Sequence, residues 1–155
     1  MNRTTTSKLP GIGYVKWEDA DNASSSPLVA VEKTEIATST SIQTPKGLIQ
    51  AQIVSQGLAL EKGLGDRDSL PENEGMLFNF PYSEMYRFWM KDMRFSIDIV
   101  WMNDQKQVIW IQSHVSPDTY PQSFGPSVPS KYVLEINSGN ANRMGIATGT
   151  QLIWK

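Results

Sequence analysis

The sequence predicts a mainly β domain, a compact β-sandwich or partly open barrel carrying one or two short helices. Three observations lead there. The apolar residues come in short runs rich in Val, Ile, Phe and Trp, the runs are separated by Gly, Pro, Asn and Asp, and only one stretch has the spacing of an amphipathic helix. Four of the five tryptophans lie between Trp89 and Trp154, which puts most of the large apolar area in the second half of the chain.

Residues 1 to about 40 mix Thr, Ser and Asn with scattered charges, and their main apolar patch is residues 28–31, LVAV. They are expected to form a disordered tail or tether, followed by one β domain over 41–155. The domain opens with SIQTPKGLIQAQIVS, where Pro45 and Gly47 suit a tight turn and Ile42 and residues 48–54 form the arms of a hairpin. Ser55 then caps the main helix, which carries Leu58, Leu60 and Leu64 and ends at Gly63 or Gly65. Residues 76–80 and 88–91 are strands, joined through PYSEMYR, and residues 97–102 are a third. The MNDQKQ turn leads to a hairpin partner over 108–112. The four prolines of residues 113–131 cannot join a ladder and predict a long surface loop. Residues 132–136 return as a strand, NSGNANRMGI allows one helical turn, and 151–154 close the sheet.

Composition narrows the function. A net charge of −2, with 19% charged residues, supplies no basic field for a polyanion, so no nucleic-acid partner is expected. With no cysteine, disulfides, thiol catalysis and thiolate metal sites fall away together. The single histidine, His114, leaves too few ligands for a zinc site, and Asp66 and Asp68 have Arg67 between them, which argues against calcium; no metal and no cofactor is expected. No apolar run is long enough for a membrane span, and residues 9–21 are no signal-peptide core. A monomer is expected.

The few ionic groups inside the apolar runs are the site candidates. Alternation puts Ile97, Ile99 and Trp101 on one side of their strand and Asp98, Val100 and Met102 on the other, both mostly apolar. Asp98 therefore needs a cation or a set of donors, and Lys91 and Arg67 are the cations on offer. Trp89 shares a face with Lys91, and Glu135 with Val133. These five either converge on one ionic cluster at the mouth of the sandwich or are dispersed ion pairs. The methionines 76, 85, 90, 93 and 102 fill core gaps or line an adaptable groove.

The runs KGLGDRDSLPENEGMLFNF, RFWMKDMRFSIDIVWM, VIWIQSHVSP and YVLEINSGNANRMGIATG, taken in order, resemble the DUF192 family, with the match spanning about residues 48–154. The resemblance implies a compact β-sandwich or barrel-like domain and places Arg67, Trp89, Lys91, Asp98 and Glu135 at matching positions. It also implies an exported or membrane-tethered protein, for which this chain shows only a polar stretch at its start. Two departures flank the cluster: Gly65 stands where the family has methionine after Gly-Leu, and Asp92-Met93 where it has Asn-Thr. The leading expectation is a non-enzymatic module that takes a small polar or anionic ligand, or a partner segment, at an aromatic-rich mouth. The alternatives are an enzyme with Asp98 or Glu135 as general acid or base and Lys91 or Arg67 stabilising charge, and a purely structural interaction module.

Overall fold

The computed structural model describes residues 38–155 throughout and, ahead of them, the backbone of two strands, β1 (Thr4–Lys8) and β2 (Gly13–Glu18). The expected tail over residues 1–40 thus lies largely outside the described residues. Its end, from Thr38, already belongs to β3 (Thr38–Thr44), which pairs with β4 (Gly47–Val54) as the expected hairpin around Pro45 and Lys46.

The protein is mainly β. After β4 come α1 (Gly57–Lys62), β5 (Glu74–Glu84), β6 (Arg87–Trp89), β7 (Ile97–Met102), β8 (Val108–Val115), β9 (Ser123–Phe124), β10 (Ser130–Asn137) and α2 (Asn140–Arg143). Six strands form one sheet in the order β3-β4-β5-β10-β7-β8, with β3 and β8 as its edges, so it does not close into a barrel. Every pairing in it is antiparallel except β4 with β5. That one parallel step requires a crossover, which is the work of α1 and residues 63–73. A smaller sheet, β1-β2-β6-β9, completes the fold.

The large sheet is buried on both faces. Met76, Phe78, Ile97, Ile99, Trp101 and Val133 form one face, covered by Leu64, Leu70, Phe88, Met90 and Met93. Leu77, Val100, Met102, Leu134 and Ile136 form the other, covered by Ala141, Met144, Ile146, Leu152 and Trp154. Each strand in the middle therefore contributes to two cores in alternation. Phe88 stands edge-on to both Phe78 and Trp101, with ring centroids 5.1 and 5.9 Å apart, and so locks the small sheet onto the first face.

Three expectations need correction. Ser55 is not a cap: the N-cap of α1 is Gln56, no side chain caps the helix, none of its six residues is buried, and Leu64 packs inward only after the helix has ended. The strand expected over 88–91 stops at Trp89 and leaves Lys91 in a turn. Residues 113–131 are not a bare loop. They hold the end of β8, a 3-10 turn Pro117–Thr119 capped by Ser116, and β9, which pairs with β6. Pro117 opens the 3-10 turn, where its missing N–H costs nothing, and the other three prolines lie between the pieces, which is how the segment escaped a reading based on proline content.

Candidate functional site

Asp98 and Glu135 lie on adjacent strands but on opposite faces. Glu135 is level with Ile99 of β7, and Asp98 with Ile136 of β10, so a one-residue offset sends the two carboxyls to different cores. Both are fully buried.

Asp98 is not paired with Lys91 or Arg67, contrary to the sequence expectation. Between β7 and β8 the register slips, Ile97 facing Val115 and Ile99 facing Gln112, so β8 holds an extra residue opposite Asp98. His114 absorbs that bulge with φ 55° and directs its backbone N–H to Asp98 Oδ1 at 2.9 Å. Asp98 Oδ2 accepts the N–H of Ala141, in the first turn of α2, also at 2.9 Å. The N-cap position of that helix is Gly139, which has no side chain to offer, and Asp98 performs the capping from across the core. The carboxylate thus ties the bulge to the helix, and two backbone donors replace the cation.

Glu135 has no such arrangement. Neither of its carboxyl oxygens has a hydrogen-bond partner among the described residues. Its neighbours across the ladder are Met76 and Ile99, both apolar. Burial pushes its pKa well above 4.5, while the Arg67 guanidinium pulls the other way without reaching ion-pair contact. Burial thus favours the un-ionised form of this carboxyl, which both donates and accepts.

Arg67 is half-buried, and its Nη2 donates to Gln52 Oε1 at 2.9 Å. Gln52 pairs with Met76, which pairs with Glu135, so Gln52, Met76, Glu135 and Ile99 run as one row across the face. The acids on either side of Arg67 are taken by other cations, Asp66 by Lys62 at 3.4 Å and Asp68 by Arg94. A neutral amide oxygen is all that Arg67 holds among the described side chains. Sequence reasoning missed Gln52. Its signal is that Gln50 and Gln52 share a strand face with the buried Val54, which marks where that face turns from solvent to interior.

Lys91 comes close to Arg67 through the backbone. Asp66 N–H donates to Asp92 C=O at 2.8 Å, clasping the loop of residues 63–70 to the turn of residues 90–93. Both aspartates adopt positive φ, 63° and 59°, which Asp tolerates. Trp89 points elsewhere. In β6 it alternates with Phe88, which packs into the first core, and its ring meets Tyr120 at 5.4 Å. Of the five expected residues, then, the fold gathers Glu135, Arg67 and Lys91 toward one side, and carries Asp98 and Trp89 to others. His114 Nδ1 lies 2.7 Å from Ser138 Oγ on the surface, and the acid near it, Asp98, meets its backbone rather than its ring. Among the described residues no cluster of His, Asp and Glu is placed to hold a metal ion, and no helix is long and apolar enough to cross a membrane.

An open mixed β-sheet buried on both faces, closed on one side by a small second sheet and a crossover loop, defines the class of domain. The chain belongs to the DUF192 family, described as uncharacterized ACR, whose model matches residues 38–154. No curated protein matches it. Among solved structures it is similar to a protein from Sinorhizobium meliloti 1021 described as a "putative transcription regulator". The two are 21% identical, with a TM-score of 0.72, covering 76% of this chain and 95% of that one. It is also similar to a protein of unknown function from Novosphingobium aromaticivorans DSM 12444, at 27% identity and a TM-score of 0.68, covering 76% and 85%.

Proposed function

We propose that this domain is a binding module that takes a small polar ligand between the large sheet and the clasped loops 63–70 and 90–93, with Glu135 and Arg67 as its recognition groups and Lys91 at its edge. The observation that carries this reading is the contrast between two buried carboxyls in one sheet. Asp98 has a donor on each oxygen, whereas Glu135 has none among the described residues. A fold that satisfies one acid so fully and leaves another bare beside a half-buried guanidinium keeps the second for something other than stability. Trp89 and Asp98 stand outside the proposed site. The regulator's description is not carried over, because 21% identity speaks for fold alone and a net charge of −2 gives no footing on nucleic acid.

The test is Glu135→Met, which keeps the volume and removes the acid. Thermal unfolding would be followed for both proteins against a panel of small polar metabolites. We expect the variant alone to be more stable than the wild type by about 1–3 kcal/mol, as when a buried charged or polar group gives way to an apolar one. We also expect it to lose any ligand-induced rise in midpoint that the wild type shows. A variant that is clearly less stable would make Glu135 a structural residue and end the proposal. One feature favours a catalytic variant of the same reading: an acid whose un-ionised form is favoured by burial is suited to donate a proton. Recovery of the ligand chemically altered by the wild type, but not by Glu135→Gln, separates that case from simple binding.

A further inference from the structure

We infer that the ligand of this site is a small carboxylic acid with an apolar remainder, its carboxylate lodged between the Arg67 guanidinium and the Glu135 carboxyl. This rests on the binding reading above and goes further by naming the class of ligand.

Arg67 carries a positive charge that no described carboxylate neutralises, since its sequence neighbours Asp66 and Asp68 are held by Lys62 and Arg94. One of its nitrogens is committed to the Gln52 amide, leaving the remaining donors of a planar fork. Glu135 is fully buried with neither carboxyl oxygen bonded among the described residues, surroundings that favour its un-ionised form, which offers an O–H and brings no negative charge to repel an anion. An acid O–H facing a carboxylate makes a short, charge-assisted hydrogen bond, and the guanidinium fork matches the two coplanar oxygens of the same group. A monoanion balances the guanidinium that faces Glu135, whereas a phosphate dianion would have to draw on Lys91 at the edge as well and would bring more acceptor oxygens than Arg67 and Glu135 can meet.

The rest of the face specifies the remainder of the molecule. Met76 and Ile99 flank Glu135 across the ladder, and Leu64, Met90 and Met93 cover the same face. Methionine side chains are unbranched and re-pack readily, so they adapt to a short aliphatic or aromatic tail. Gln52 is the polar residue next to Met76 on this row, and the next ones, Ser39 and Gln112, lie out on the edge strands, so a ligand with several hydroxyls seated at Met76 and Glu135 would leave most of them unpaired.

The experiment is a titration of the full chain with sodium propionate, propionamide and inorganic phosphate in turn, at fixed pH and ionic strength, followed by backbone and side-chain 15N–1H resonances. Propionate is expected to give saturable shifts at the Arg67 Nε–H, the Gln52 amide and the backbone of Glu135. Propionamide, the neutral isostere, should bind at least about tenfold more weakly. Arg67→Gln and Glu135→Met should each weaken propionate about tenfold or more, while Glu135→Gln, which keeps a donor and an acceptor, should stay within about threefold. If propionamide binds as well as propionate, or phosphate shifts these resonances and propionate does not, the carboxylate assignment is overturned and the binding reading survives. If no probe shifts them but Glu135→Met is stabilised, the outcome is the same. If no probe binds and Glu135→Met is destabilised, both fall together.

Discussion

The fate of single carboxyls in this protein is decided by whether the backbone can spare donors nearby. Asp98 faces a bulge and a helix start, each with a free N–H; Glu135 faces continuous ladder on both sides, where every N–H is already used. The need of Asp98 for a cation or a set of donors was legible from its apolar strand. Which of the two it found was not, because the bulge that frees His114 depends on how β8 registers against β7. The difference gives a pH signature. Glu135 binds its proton more tightly in the folded protein than in the unfolded chain, so its contribution to stability is complete below the ordinary value of 4.5 and is lost as pH rises toward the raised folded value. Comparing urea unfolding of the wild type and Glu135→Gln from pH 4 to 8, the wild type is expected to lose ground to the variant by up to about 1.4 kcal/mol per pH unit within that window. Parallel curves would mean that Glu135 ionises freely, and would remove the un-ionised acid from the site.

At the level of elements, apolar runs bounded by clear turn residues were readable almost to the residue. β7 spans the expected Ile97–Met102, and the β3–β4 hairpin turns at the expected Pro45. What sequence alone did not reveal were elements whose partners are distant. β9 is only two residues long and exists because β6 lies beside it and Arg87 reaches across, donating Nε to Ser123 Oγ at 3.1 Å and Nη2 to Ser123 C=O at 2.7 Å. Nothing in SFGP announces such a pairing. Gly125, next along, can have no side chain, because a Cβ there would come within 2.6 Å of the Tyr86 carbonyl. Arg87→Met should therefore cost about 1–3 kcal/mol, the loss of two or three partly buried hydrogen bonds. It should also open residues 120–129 to hydrogen exchange and protease before the rest of the domain. A variant in which that segment stays as protected as in the wild type would show that ring contacts such as Trp89–Tyr120 hold it instead.

Across the whole molecule, the sheet acts as a partition. A mainly β fold was evident from short apolar runs, but apolar residues on both faces of β7 and β10 meant that alternation could say which residues share a side, not what covers each side. The cover is supplied by segments distant in sequence: the crossover loop on one face, α2 and the chain end on the other. Five ionic or aromatic residues, which the sequence left as either one cluster or dispersed pairs, are for that reason split between layers. The split predicts how their energies combine. Asp98→Asn keeps one acceptor but turns an amide toward the second N–H, and should destabilise by about 1–3 kcal/mol through the β8 bulge and α2. Glu135→Met relieves an unpaired acid on the other face and should stabilise by a similar amount. Although Asp98 is level with the residue next to Glu135, the two side chains share no partner, so the double variant should equal the sum of the singles within about 0.5 kcal/mol. Asp98→Ala and Lys91→Ala should likewise show no coupling. Equilibrium unfolding of the four single and two double variants decides it: a coupling well above that margin in either cycle would mean that the two faces communicate, and that the ionic groups form a single network after all.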